Sequence, residues 1–140
     1  MAKIAVKPFV LKDCTVTIKD GSTAVGDYEA HVSKVSIDPN TPTQTWTGMT
    51  PSAVFVDAAT TQWLCNVDYA QDYETANSFA QFLLANPGKQ VTMEFTPKNG
   101  GTAKKATVTV ICVPGSIGGT VGAFATASVA LPVIGQPAIA

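Results

Sequence analysis

Apolar residues recur at every second position through most of the chain and at every third or fourth position in one stretch only. From Cys14 to Lys19 the side chains Cys14, Val16 and Ile18 fall on one face and Thr15, Thr17 and Lys19 on the other, the period of a half-buried strand. Asp20-Gly21 then supplies a turn. A second strand is expected from about Tyr28, with Tyr28, Ala30 and Val32 in phase, but Val35 and Ile37 continue in the opposite phase. A one-residue slip reverses every later side chain, so a β-bulge is expected near Ser33 and Lys34. Strand character returns at Ala53 to Val56, at Thr61 to Tyr69 with Trp63, Cys65, Val67 and Tyr69 on one face, at Gln90 to Thr96 with Val91, Met93 and Phe95 inward, and at Ala106 to Val113. The segment Pro97-Lys98-Asn99-Gly100-Gly101 reads as a hairpin connection.

The helical stretch is DYETANSFAQFLLANPG. Ala76, Phe79, Ala80, Leu83 and Leu84 keep helical spacing and Asn86-Pro87-Gly88 stops the run, so a helix is expected over residues 72–86 with Asp72 as its N-cap. Residues 38–51, DPNTPTQTWTGMTP, carry three prolines and a glycine and read as a long loop, with room for a short edge strand around Gln44 to Thr47. Trp46 and Met49 argue against disorder there, because large apolar groups in a loop need something to pack on. Near the end, the turn PGSIGG leads to a strand from about Val121 to Leu131 with no charge on either face, which points to protein cover on both.

Composition sharpens this picture of a mainly β, α+β single domain. The 140 residues have 46% hydrophobic character, an ordinary value, but only 14% charged, against roughly 25% for a typical soluble domain. What is missing is surface charge, and a thinly charged surface suggests contact with other protein. All basic residues are Lys, so the guanidinium suited to bidentate phosphate and guanine recognition is absent, and a formal net charge of -1 gives no basis for sequence-independent DNA binding. Cys14, Cys65 and Cys112 form no C-x-x-C pair and read as reduced, buried small hydrophobes. Neither a signal-peptide core nor a membrane span is expected: Lys3 and Lys7 interrupt the first apolar stretch, and glycines and prolines break the charge-free run after Lys105.

No catalytic constellation emerges. His31 is the lone histidine and has no acidic partner at a telling spacing, which favours a structural or exposed imidazole over a catalytic base. Asp68, Asp72 and Glu74 cluster near the expected helix start, where capping accounts for them better than calcium ligation. PGSIGG fits neither a dinucleotide nor a Walker loop, and an immunoglobulin-like reading fails on the position of Trp46 relative to Cys14 and Cys65. No cofactor and no metal are expected.

The order of the pieces is more informative: a Lys-containing N-terminal arm (1–12), LKDCTVTI, YEAHVSKVSID, the Thr/Pro/Trp loop, TQWLCNVDYAQDYETANSFAQFL, two strands, then IGG through ATASVALPVIG. Over nearly the whole chain this resembles the tail tube, or major tail, proteins of long non-contractile-tailed (siphophage-type) bacteriophages. The resemblance implies a β-sandwich with one flanking helix, whose strands complete an inter-subunit β-barrel in a hexameric ring. Rings of that kind stack into the channel through which the genome leaves the virion. It also implies self-association as the main partnership, with tail terminator, tape-measure and baseplate or distal tail proteins at the tube ends, and double-stranded DNA present only in transit. Assembly in the host bacterial cytoplasm, a final location in the virion tail, no membrane insertion and no enzymatic activity complete the expectation. If each of six subunits lends four strands, a spacing of about 4.8 Å gives a barrel roughly 115 Å around and roughly 37 Å across before tilt.

On this reading Trp46, Thr47, Met49 and Pro51 form an inter-ring or inter-subunit contact loop. Val6, Pro8 and Phe9 belong to the N-terminal arm, and Pro132, Val133, Ile134 and Pro137 to a C-terminal arm (132–140); neither arm is expected to complete a strand of its own. A channel that lets DNA slide should offer hydroxyls and scattered carboxylates rather than lysine. Ser33, Ser36, Asp38, Gln44, Thr45 and Thr47 are the candidate lumen residues, with Asp57 and Asp68 as further carboxylates. The competing class is a monomeric β-sandwich adhesion or ligand-binding module.

Overall fold

The computed structural model describes residues 2–97 and 104–140; of the expected 97–101 hairpin connection all but Pro97 lies outside the described residues. The chain is mainly β, with nine strands and one short helix among the described residues. β1 (Thr15–Asp20) and β2 (Thr23–Asp27) form a hairpin whose turn uses Gly21 at φ +65, a conformation open to glycine at little cost. The expected strand from Tyr28 begins later, as β3 (Val32–Asn40), because Tyr28 turns inward: it is buried and its hydroxyl donates to the Asn77 carbonyl at 2.8 Å. The bulge is where the phase change required it, as a register shift between Val32 and Lys34 opposite β6 (Gln62–Ala70).

β4 (Thr43–Thr47) and β5 (Val54–Ala58) pair with each other, whereas β7 (Gln90–Thr96), β8 (Ala106–Ile111) and β9 (Thr126–Ile139) join the main ladder. Hydrogen bonding runs in the order β2-β1-β7-β8-β9-β6-β3, all antiparallel between neighbours. β9 is shared. Its first half, Thr126 to Pro132, pairs with β6, and its second half, Val133 to Ile139, pairs with β8. The ladder therefore folds over along β9 into two facing layers, a sandwich arrangement in which one strand changes sheet at the corner. Face-to-face contact is direct: the Cys65 Sγ on β6 lies 3.8 Å from the Met93 Sδ on β7, three places away in the ladder.

Between the layers lies one core. Val16, Ile18, Val91, Met93, Val108 and Val110 come from the first layer, and Cys65, Val67, Tyr69, Ala127, Val129 and Leu131 from the second, each set at alternating positions. Burial pushes the Cys65 thiol up to about 12, with the Asp38 charge adding to the effect, and all three cysteines are free.

The helix is shorter than its apolar spacing suggests, and its cap is a different residue. α1 spans Phe79–Ala85 and is capped by Ser78, whose Oγ accepts from the Gln81 amide at 3.3 Å. Asp72 instead organises the loop before it, its Oδ1 accepting from the Glu74 and Thr75 amides at 3.0 and 3.1 Å, while Ser78 Oγ donates to the Asp72 carbonyl. These local bonds, and Asn77 at φ 59, divert residues 72–77 from the helix that their composition allows. α1 closes one end of the sandwich with Phe79, whose ring meets Tyr28 and Tyr69 edge-on at 5.4 and 4.9 Å.

The C-terminal arm also departs from expectation. Residues 132–139 continue β9, and Ala140 exchanges both backbone bonds with Lys105, at 2.8 and 3.0 Å. Pro132 stands at the corner where pairing passes from β6 to β8, and Pro137 falls in the irregular stretch between Ile134 and Ala138, where no β8 residue pairs with it. Only one face of β9 is covered, since Thr126, Ser128 and Ala130 are exposed.

Candidate functional surfaces

Four features of the surface stand apart from the packed body. The first is the β4–β5 hairpin. β3 and β6 end at the pair Asn40 and Gln62, and the two chains stay together beyond it, with the Thr41 and Thr61 hydroxyls 2.6 Å apart and the Ala59 amide donating to the Pro42 carbonyl at 2.7 Å. The ladder then resumes as β4–β5, so the expected long loop is in fact an extension of the β3–β6 ribbon, reaching roughly 17 Å further by strand rise alone. Its tip closes through the Gly48 amide on the Ala53 carbonyl at 2.6 Å. A side chain at position 48 would come 2.7 Å from the Ala53 methyl, hence the glycine.

Every residue of β4 and β5 is exposed. Cross-strand pairing puts Trp46 opposite Phe55 and Gln44 opposite Asp57 on one face, and Thr43, Thr45, Thr47, Val54, Val56 and Ala58 on the other. Trp46 is 70% exposed and Phe55 66%. A two-stranded hairpin is marginal alone in water, and this one shows apolar side chains on both faces. Met49 and Pro51 stand exposed in its tip.

The second is the N-terminal arm, where Ile4, Val6, Phe9 and Val10 are exposed and residues 2–11 take no regular structure. The third is the loop of residues 113–125, with Ile117, Val121 and Phe124 exposed. The fourth is milder: a cleft of 860 Å³ at the hairpin base, lined by Asn40, Gln62, Leu64, Pro132, Val133 and Gln136 among others, none ionisable.

The outer face of β3, β6 and β9 is mostly polar. Register aligns Lys34, Asp68 and Ser128 in one row, Ser36, Asn66 and Ala130 in the next, and Asp38 with the exposed Leu64 and Pro132 beyond. Asp38 accepts from Ser36 Oγ at 2.5 Å and from Asn66 Nδ2 at 2.6 Å, and those bonds hold its carboxyl below the usual range. Asp68 accepts from Ser128 Oγ at 2.6 Å. Of the lumen candidates, Ser36, Asp38 and Asp68 are thus brought together, and Asn66 and Ser128, which sequence reasoning missed, join them. Ser33 lies in the bulge, bonded to the Asp68 carbonyl at 3.3 Å. Gln44, Thr45 and Thr47 cannot share one surface as expected: Gln44 and Asp57 occupy the face opposite to that of Thr45 and Thr47, because successive strand residues alternate.

No group of three or more His, Cys, Asp or Glu side chains able to hold a metal occurs among the described residues. His31 packs edge-on against Tyr28 at 5.6 Å. No helix among the described residues is long and apolar enough to cross a membrane.

Compared with known proteins, the chain matches no family model and no curated sequence. The total accessible area is 9658 Å², against roughly 6,900 Å² for a compact monomer of this mass. The difference is about three times the roughly 800 Å² that one partner buries in a standard interface.

Proposed function

We propose that the chain is the subunit of a phage-type tail tube, assembling through hexameric rings that stack into a channel for DNA. The observation that carries this reading is the hairpin of Thr43 to Ala58, ordered by its own pairing yet carrying exposed apolar side chains, Trp46 and Phe55 on one face and Val54 and Val56 on the other. Left uncovered, such an arm is an aggregation liability, and further copies of the same chain supply the cover in this reading. Uncovered apolar surface on the N-terminal arm and the 113–125 loop adds to the same argument.

In this arrangement the polar outer face of β3, β6 and β9 lines the channel. Ser36, Asn66 and Ser128 offer neutral groups, Asp38 and Asp68 offer weak repulsion, and Lys34 lies level with Asp68. The other layer carries Lys19 and Lys105 on Glu94 at 3.1 and 3.4 Å, and suits the exterior better. Three strands per subunit, instead of four, give a barrel roughly 86 Å around; a strand tilt of about 40° widens its diameter to roughly 36 Å. No cofactor, metal or catalytic step enters the reading, and tape-measure, terminator and baseplate-type proteins would contact the tube rather than the isolated subunit.

The test is light scattering and negative-stain microscopy of the purified protein over a range of concentrations. Particles of six subunit masses and tubes of uniform width are expected; a species that stays monomeric at every concentration would sink the proposal.

A further inference from the structure

The ribbon of β3 and β6 has two unlike ends. At one stand Asn40, Gln62, the uncharged cleft and the hairpin. At the other stand Tyr69, Ala70 and Thr126, about 27 Å away by strand rise from Gln62 to Ala70. The loop of residues 113–125 lies at this second end, since the Gln71 amide donates to the Ala125 carbonyl at 3.0 Å and Thr126 begins β9 opposite Ala70.

This loop is built, not loose. Gln71 clamps it with three bonds: Nε2 donates to the carbonyls of Gly118 at 2.7 Å and Thr126 at 2.9 Å, and the Gly118 amide donates back to Oε1 at 2.9 Å. Gly115 crosses so close to the Tyr69 hydroxyl and the Val129 Cγ1 that no side chain fits there. Gly118 and Gly122 hold φ +108 and +90. On this fixed platform Val121 is 100% exposed and Phe124 98%, and Ile117, in the same loop, is exposed as well. No charged residue occurs anywhere between Lys105 and the end of the sequence.

We propose that residues 113–125 of one copy receive the β4–β5 hairpin of a second copy, so that Ile117, Val121 and Phe124 pack against Trp46, Met49 and Phe55 of their neighbour. The inference rests on the assembly proposed above and deepens it by naming the receiving surface. Three observations select this occupant. Both surfaces are apolar, and Asp57 is the single charge on either. They lie at opposite ends of one ribbon, so the same contact repeats without a twofold axis and generates a filament. Both are ordered within the isolated subunit, the hairpin by its ladder and the loop by Gln71, so little conformational entropy opposes their meeting. The hairpin cannot use the cleft at its own base in the next ring, because that cleft opens at the same end from which the hairpin projects.

Cysteine cross-linking tests the assignment. In a Cys14→Ser background, with Cys65 and Cys112 buried, Met49→Cys and Val121→Cys are introduced on separate copies, mixed at assembling concentration and oxidised. Both positions are exposed, and circular dichroism of each variant checks the fold. A disulfide-linked dimer from the mixture is expected, and a ladder of multimers from the double variant, whereas Met49→Cys mixed with Ser22→Cys should give neither. Phe124→Ser should raise the concentration needed for tubes at least about tenfold. Tubes without the Met49–Val121 link, or with Phe124→Ser indifferent, would overturn the receiving surface while leaving the tube reading intact. A wild-type protein that remains monomeric would remove both.

Discussion

The sandwich and the hairpin are made from the same materials and differ in what covers them. β8, ATVTVI, alternates threonine with valine, and Val108 and Val110 disappear into the core; β5, VFVDA, is as apolar, and all of it faces solvent. In the sandwich the partner layer is supplied by the same chain, so inward positions are apolar and outward ones polar. In the hairpin both faces carry apolar groups because no layer of the same subunit lies on either. Hydrophobic patterning says that a surface will be covered. It does not say by which molecule.

Substitutions can separate the two regions, and the largest effect should be in the sandwich. Phe79→Ala, which empties a fully buried site between Tyr28 and Tyr69, is expected to cost about 3–5 kcal/mol of subunit stability in denaturant titration. A loss below 1 kcal/mol would mean that the helix is not part of the core. Next comes Gly115→Ala. Tyr69 is pinned by Phe79 and cannot swing aside, so overpacking by roughly 1–3 kcal/mol is expected, with weaker tube formation because the loop is displaced.

Acid should weaken the sandwich through Glu94. Hydrogen bonds from Lys19 and then Lys105 hold the Glu94 carboxyl below its ordinary range. Since the folded value is lowered, the contribution is complete above the unfolded value of about 4.3 and is lost as pH falls through the folded one. The Lys partners are partly exposed, so the amount is at most about 1 kcal/mol. Glu94→Gln should flatten the acid limb of stability by that much, and an unchanged limb would place the acid sensitivity elsewhere.

The smallest effect on the subunit belongs to the hairpin. Trp46→Ser should change the melting midpoint by an amount corresponding to less than about 0.5 kcal/mol, yet abolish long tubes. Normal tubes from that variant would sink the contact role of Trp46, and a large loss of stability would show that the hairpin is packed in the subunit after all.

Much of the fold was legible because period-two alternation in β1, β6, β7 and β8 coincides with true burial, and because the phase break at Ser33 and Lys34 has only one cheap structural meaning, a bulge. The hairpin was less so. Proline, glycine and threonine in residues 38–51 signal a turn-rich loop, and the pairing of Trp46 with Phe55 is a non-local fact that local composition does not contain. The helix start is ambiguous in the sequence since Asp72 and Ser78 are both good caps, and the three-dimensional position of Tyr28, whose hydroxyl donates to the Asn77 carbonyl, favours Ser78. Of the polar face, Ser36, Asp38 and Asp68 could be nominated as carboxylates and hydroxyls in strand context. Asn66 and Ser128 could not be added without the register of three strands distant in sequence.

The shared strand β9 has a mechanical consequence. Its ladder with β6 runs for seven residue pairs, and the hairpin and the glycine-rich loop sit at opposite ends of that ribbon. A pull between those two ends acts along the strands, while the ladder bonds lie across them, so the load is carried in shear and is divided among the bonds instead of opening them one by one. The second half of β9 then hands part of the same load to β8 and the other layer. In the proposed filament, tension would meet a strand that is stitched into both sheets.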